Sequence, residues 1–335
     1  MIDVHAHFVP PELPFGTFKG GDWPRVEVSG DKAEVYTGTR HFRSITSSSW
    51  DLSRRIEDMD AHGVDGQAIS PMPELFCYWA DPADAVAYCR ELNHWLAERI
   101  KVGAGRFHGL GLVPLQAPER AAELLEEVLR LGLRGVEIGS NVNGVPLHDR
   151  RFDVFFGEAN RLGLAIFVHA FHPHLFESIT GAPAASAVTF PNEIGFAAGG
   201  LIAEGVVHRY PRLRICASHG AGSLTLLLPR MDRMYDFDPA SQERMPERPS
   251  AGARRLFVDL LVFSPDALSY VIRTLGCDRV VVGSDYPFMS DRPGKLLDEI
   301  PIEAQERAQI ERDNALAFLG VTQHETDRLD HTSTS

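Results

Sequence analysis

Histidine and aspartate recur in this chain where apolar runs end. The first run opens the sequence: Ile2 and Val4 alternate into His5 and His7. On a strand, residues i and i+2 share a face, so both imidazoles project from one side. Two such rings can hold a divalent transition metal if the rest of the chain supplies partners. Leu164 to Val168 ends in His169, Leu213 to Ser218 ends in His219, and Arg279 to Gly283 runs through Ser284 into Asp285. Neutral imidazoles and one carboxylate are what zinc binds, and manganese or cobalt suits the same donors. His5, His7, His169 and Asp285 would hold one such ion and leave a position open for water or substrate. His219 is then a spare imidazole, available as general acid or base. Gly220 and Gly222 behind it let the chain turn tightly into the next helix. His172 and His174 follow in a loop as His-Pro-His and read as pocket-lining or exposed groups. Arg43 and Arg230 could grip a carboxylate bidentately, although a surface position is the default among 29 arginines (33 basic residues less four lysines).

The elements that must position these residues follow a rhythm. Strands are expected at 2–7, 65–70, 107–113, 134–138, 164–168, 213–218, 256–260 and 279–283. Helices are expected at 50–61, 84–101, 119–131, 153–162, 192–208, 223–235, 265–275 and 303–319. Eight strands, each followed by a helix, imply a parallel sheet covered on both faces. The α/β class that fits is a (β/α)₈ TIM barrel, with its chemistry at the carboxyl ends of the strands. An open doubly wound sheet is the alternative. Its dinucleotide-binding version has no support, because no G-x-G-x-x-G follows the first strand. Residues 9 to 50 interrupt the rhythm with prolines, a Gly-Gly pair, and a hairpin from Val26–Val28 to Ala33–Tyr36. They read as a small β insertion after strand one. Residues 1–320 read as one barrel domain and 321–335 as a polar C-terminal tail.

A net charge of −13, from 46 acidic and 33 basic residues, argues against a nucleic-acid partner. No apolar run approaches a membrane span and no basic-apolar leader opens the chain. Cys77, Cys89, Cys216 and Cys277 show no close spacing and read as free thiols. The expectation is a cytoplasmic protein.

Several stretches together resemble a known family. They are Asp3-Val-His-Ala-His-Phe8, His41-Phe-Arg43, Trp50-Asp51 leading into Arg55-Ile-Glu-Asp-Met-Asp60, and Gly63-Val-Asp65. Val113-Pro-Leu-Gln116, Ser218-His-Gly-Ala-Gly-Ser223 and Gly283-Ser-Asp-Tyr-Pro-Phe288 complete the set. The pattern is similar to the metal-dependent amidohydrolase superfamily, in its aminocarboxymuconate-semialdehyde-decarboxylase-like branch, from residue 2 to about residue 320. The resemblance implies a non-oxidative decarboxylase, a carbon–carbon lyase that releases CO2 from an unsaturated or aromatic acid. A hydrolase or hydratase using the same metal site is the alternative. It further implies one zinc on His5, His7, His169 and Asp285, with Asp285 and His219 catalytic. Arg43, Phe288 and Arg230 would bind substrate. Arg230 matches an arginine that reaches the neighbouring subunit's site, which implies a homodimer. Helical geometry agrees with that assignment, since a helix leaving the rim carries Arg230 away from its own metal. Binuclear relatives carry a carboxylated lysine at the end of strand four. Here Arg134–Ile138 and the Gly-Ser-Asn after it contain no lysine, which favours one metal. The departures fall in the pocket: Ala170-Phe-His172 stands where the branch has Pro-Trp-Asp, and the stretch Glu177 to Phe190 lacks an expected tryptophan.

Overall fold

The computed structural model describes residues 1–15, 18, 21–103, 105–171, 182–289 and 291–322, the side chains of 182–185 excepted. His172, His174 and the tail from 323 lie outside the described residues. The chain opens with β1 (Ile2–Phe8) and a three-stranded antiparallel sheet, β2 (Pro24–Ser29), β3 (Lys32–Thr37) and β4 (Arg40–Thr46). Then come α1 (Leu52–His62), β5 (Gly66–Pro71), α2 (Pro82–Val102), β6 (Phe107–Gly111), α3 (Pro118–Arg130) and β7 (Gly135–Gly139). A small ribbon, β8 (Asn141–Val142) and β9 (Val145–Pro146), precedes α4 (Asp153–Leu162), β10 (Ala165–His169), α5 (Ala182–Ala203), α6 (Val206–Arg209) and β11 (Arg214–Ala217). The last part holds α7 (Leu224–Tyr235), α8 (Pro239–Arg244), α9 (Pro249–Ala253), β12 (Phe257–Asp259), α10 (Pro265–Leu275) and β13 (Val280–Val281). It finishes with α11 (Ala304–Ala308) and α12 (Asn314–Leu319), joined by a π turn.

Eight strands pair in parallel in the order β1-β5-β6-β7-β10-β11-β12-β13. Parallel bridges from Asp3 to Val282 and from Ala6 to Tyr286 bring the last strand back beside the first. Val4 N–H donates to Val282 O at 2.9 Å and His7 N–H to Tyr286 O at 2.7 Å across that seam. The ring is therefore a nearly closed barrel with helices between successive strands. The helix starts are written locally. Asp51 caps α1 by accepting from the backbone N–H of Ser53 and Arg54, and Ser264 caps α10 by accepting from Ala267 N–H.

Two apolar layers hold the barrel. The larger lies between strands and helices. The smaller fills the axis with Ile2, Val4, Ala68, Leu110, Phe167 and Val281, and α12 packs Leu316 and Phe318 against it. β7 contributes no side chain to this axial layer: Val136 and Ile138 belong to the larger core, and Glu137 alternates with them. The register of β1 against β5 slips by one residue between Asp3 and Ala6, the mark of a bulge. Below the slip, even-numbered Ile2 and Val4 face the axis while Asp3 bonds to Gln67 and Ser284 outside it. Above it, the His5 ring packs 4.9 Å from the axial Phe167 ring. The bulge thus turns odd-numbered His5 and His7 inward.

Two expectations differ in detail. The insertion is a three-stranded sheet, not a hairpin; β4 has little alternation to reveal it, because among Arg40–Thr46 only Ile45 is buried. The helix expected over 192–208 starts at Ala182 and stops at Ala203, where Gly205 enters the left-handed region at φ 69°.

Candidate metal centre

The Nε2 atoms of His5, His7 and His169 are buried and make no hydrogen bond. With Asp285 they form a set whose candidate donor atoms all lie within 4.8 Å of one another. Asp285 Oδ1 is 3.2 Å from His7 Nε2 and 3.6 Å from His5 Nε2. Ring centres of the three histidines are separated by 5.0 to 5.1 Å. Buried polar atoms normally find partners, so three converging orphaned nitrogens beside a carboxylate fit a cation. The other nitrogen of each ring fixes the orientation. His5 Nδ1 donates to Asp259 Oδ2 at 2.7 Å, and His169 Nδ1 donates to Ala170 O at 2.9 Å. His7 Nδ1 lies 3.5 Å from Ser70 Oγ and 3.7 Å from Glu137 Oε2. Partners of this kind orient metal-binding histidines and select Nε2 as the ligand atom.

The backbone carrying the site is strained where it turns. His219, Ala221 and Asp285 hold φ of 54°, 58° and 59°, and Gly220 and Gly222 also lie in the left-handed region. Non-glycine residues there cost about 1 kcal/mol or more each, and such strain persists where surroundings hold it. Asp285 is held by donating its N–H to His5 O at 2.8 Å. At Gly222 a Cβ would sit 1.8 Å from Pro191 O, so no larger residue fits.

His219 stands against this cluster, its ring 5.4 Å from that of His5 and 5.2 Å from that of His169. Its Nδ1 is 2.9 Å from Ser218 Oγ. His219 and Asp285 both line a cavity of about 1200 Å³, with Arg43, Phe288, Leu226 and Tyr270 among its other walls. The Arg43 guanidinium lies 4.1 Å from the Phe288 ring centre, and that ring stacks 5.8 Å from His7. Arg230 is not brought to this cavity. It is exposed on α7 and makes no ion pair with a described residue. Asp232 and Asp236, close to it in sequence, are engaged elsewhere, Asp232 accepting from Ser250 N–H and Asp236 pairing with Arg248.

Electrostatics divide the histidines. Burial disfavours the charged form of His5, but its bond to Asp259 and the charge of Asp285 outweigh burial and raise its pKa to about 9. Burial dominates at His7, lowering it to about 4, and also lowers His169 and His219. Burial pushes against Asp285 as well, yet His7 and His5 hold its carboxyl below the ordinary range.

The sequence reading passed over four residues. Asp259 and Glu137 are fully buried carboxylic acids on β12 and β7, and burial lifts Glu137 to about 8. Glu74, on the loop after β5, is lifted by burial to about 7 despite the nearby Arg43 charge. Arg55, 1% exposed, donates to His7 O, Ser48 O and Gln67 Oε1. For Asp259 and Glu137 the signal was available, since each interrupts an apolar strand as Phe-Val-Asp or Val-Glu-Ile. Arg55 had no such signal: it sits on an amphipathic helix among other charges.

Comparison with known proteins gives this geometry a context. The amidohydrolase family model matches residues 2–321. The 2-amino-3-carboxymuconate-6-semialdehyde decarboxylase of Dictyostelium discoideum is 32% identical over 328 residues, covering 96% of this chain and 91% of that protein. The crystal structure of 5-carboxyvanillate decarboxylase from Sphingomonas paucimobilis superposes with a TM-score of 0.76 at 26% identity, covering 82% of this chain and 85% of that one. A 5-carboxyvanillate decarboxylase from Novosphingobium aromaticivorans, complexed with manganese and 4-hydroxy-3-methoxy-5-nitrobenzoic acid, superposes with a TM-score of 0.73 at 26% identity, over 82% of each chain. A barrel with an inward histidine pair on its first strand, matched by the family model over residues 2–321 and by the Dictyostelium relative over 96% of its length, belongs to the amidohydrolase family, in the branch of the 2-amino-3-carboxymuconate-6-semialdehyde decarboxylases.

Proposed function

We propose that this chain is a metal-dependent, non-oxidative decarboxylase that releases CO2 from an unsaturated or aromatic carboxylic acid. The observation that carries the reading is the pairing of His219 with Arg43 across one cavity. One group handles a proton and the other a carboxylate, beside a set of donors that fits a cation. His5, His7, His169 and Asp285 would hold one divalent ion, zinc by the preference of three imidazoles and a carboxylate. The relative from Novosphingobium holds manganese, which the same donors accept. When bound, the ion supplies a Lewis acid that polarises and orients substrate oxygen.

The residues do the rest. Arg43 binds a substrate carboxylate as a charge-assisted pair, with Phe288 beneath it as a flat wall for a conjugated system. Held in this way, the carbon to be protonated faces His219. As the bond to CO2 breaks, its electron pair stays on that carbon, and His219 delivers the proton that replaces carboxylate. Val262 and Phe190 add apolar surface to the same cavity.

The finer expectations stand as parts of the same proposal. Residues 1–320 act as one domain. The working unit is a homodimer in which Arg230 enters the neighbouring cavity, which suits its exposure on α7 together with Leu226, Leu227 and Met234. The location is cytoplasmic, in keeping with four free cysteines whose thiols burial pushes up. Among the described residues no helix is long and apolar enough to cross a membrane. The test is a screen of metal-loaded protein against dicarboxylic dienes and hydroxybenzoates, reading CO2. Release of CO2 with a product one carboxylate shorter supports the reading. A product that has gained water and kept its carboxylates would replace it with hydrolysis or hydration.

A further inference from the structure

Asp259 ends β12 with no solvent exposure and lies between the two histidines that the proposed chemistry separates. Its Oδ2 accepts from His5 Nδ1 at 2.7 Å. Its Oδ1 accepts from Gly220 N–H at 2.8 Å and from Leu261 N–H at 3.1 Å. Gly220 follows His219 inside the left-handed turn that sets the direction of the His219 side chain. The fold makes room for this arrangement. At Gly283 a Cβ would meet Asp259 Cβ at 2.7 Å and His5 Cβ at 2.9 Å. All three partners of Asp259 are donors once His5 presents Nε2 to a metal. Only a side chain with two acceptor oxygens can satisfy them on both sides.

We infer that Asp259 is a positioning residue with two tasks: it holds the tautomer and aim of the metal ligand His5, and it anchors the turn that aims His219. The second half rests on the decarboxylase reading; the first does not. An asparagine of the same shape cannot replace it. Its single oxygen serves either His5 or the Gly220 turn, and its amide group sets a donor against a donor on the other side.

The experiment is Asp259→Asn, read in three ways. Zinc affinity, measured by chelator competition with no substrate present, should weaken about 10- to 100-fold. Cobalt-substituted protein should show an altered visible spectrum, because the His5 ligand has changed its aim. Exchange of the Gly220 amide should quicken by about 10-fold or more as its acceptor weakens. With metal held saturating and a substrate in hand, kcat should fall about 10-fold or more at nearly constant KM. Wild-type zinc affinity and an unchanged cobalt spectrum would overturn the His5 half. Unchanged Gly220 exchange would overturn the His219 half. Wild-type protein that turns over no acid at all would sink the decarboxylase reading while leaving the metal and exchange results decisive. If the variant does not fold, histidine-selective nitrogen labelling of the metal-loaded wild type carries the test. His5 must then show a protonated, slowly exchanging Nδ1, and a metal-bound Nδ1 would end the proposal.

Discussion

The buried ligand set behind Asp285, which underlies the cavity as a floor, and the walls of the cavity are built on different terms. On the floor, His5 and His7 are fully buried and His169 is 6% exposed, and each sits on a barrel strand. The second nitrogens of His5 and His169 donate to Asp259 and Ala170, while that of His7 lies close to Ser70 and Glu137. The walls come from elsewhere: Arg43 from the inserted sheet, Phe288 from the chain after β13, Leu226 from α7 and Tyr270 from α10. Leu226 is exposed, Arg43, Phe288 and Tyr270 are half-buried, and Tyr270 Oη donates to Thr225 O at 3.2 Å. The difference teaches which part of the molecule is free to change. Barrel strands fix the chemistry, whereas loops and insertions can vary the substrate without disturbing it. Of the stretch where the sequence departs from the branch pattern before Phe190, Ser186, Ala187 and Phe190 are described and line the cavity.

Breaking the floor should have the largest effect. His169→Ala removes one of four donors, and metal content by elemental analysis should drop together with activity, the latter by at least about 10²-fold. Full metal occupancy in that variant would take His169 out of the ligand set. His219→Asn should fall next, losing about 10²- to 10⁴-fold in kcat while keeping its metal. Loss of metal there would mean that ligand and proton carrier have been confused. The same variant sharpens the view of the walls. If Arg230 completes a neighbouring cavity, mixing inactive Arg230→Ala and His219→Asn proteins should restore activity, because a mixed dimer has one intact site. Subunits shown to exchange without any recovery would return Arg230 to the surface.

A wall change should be milder and differently distributed. Arg43→Ala should leave metal content untouched and lower kcat/KM about 10- to 100-fold, mostly through KM, as for the loss of one charged hydrogen bond. An equal loss of metal would show that wall and floor are not separate. The smallest effect is a pH dependence of stability. His5, raised to about 9, favours folding fully below its ordinary 6.5, and that contribution is lost as pH rises through 9. Glu137, raised to about 8, disfavours folding progressively as pH rises from its ordinary 4.5 through 8. Both act in the same direction between pH 6.5 and 8, so the Tm of chelator-treated protein should fall across that window. Metal binding needs His5 without its extra proton, so the Tm gap between metal-loaded and metal-free protein should widen over the same window. A constant gap would separate His5 from the metal.

Much of this architecture is legible in the sequence. The alternation of apolar strands with amphipathic helices specified eight βα units, because hydrophobic period is a local property of a chain. The residues that end those strands, His5, His7, His169, His219 and Asp285, marked one rim, because a parallel barrel puts all its strand ends on the same side. Two features were less visible. β4 carries Arg43, yet its apolar alternation is too weak to read; pairing with β3 defines it. Asp259 and Glu137 each show in the sequence as a carboxylate interrupting an apolar strand, but which groups they serve follows only from their neighbours across the barrel.

The sequence by itself determined that His5 and His7 share a face, since side-chain alternation along a strand is set by covalent geometry. It could not determine which face. Ile2 and Val4 claim the axis in the lower layer, and unbroken alternation would have turned His5 and His7 outward toward the helices. A one-residue slip of β1 against β5 reverses the alternation and delivers both rings to the axis. That slip is a matter of register between two strands some sixty residues apart in sequence, Ile2 opposite Gly66 and His7 opposite Ser70. It is decided by hydrogen bonds and packing around the whole barrel, which no local stretch of the chain contains.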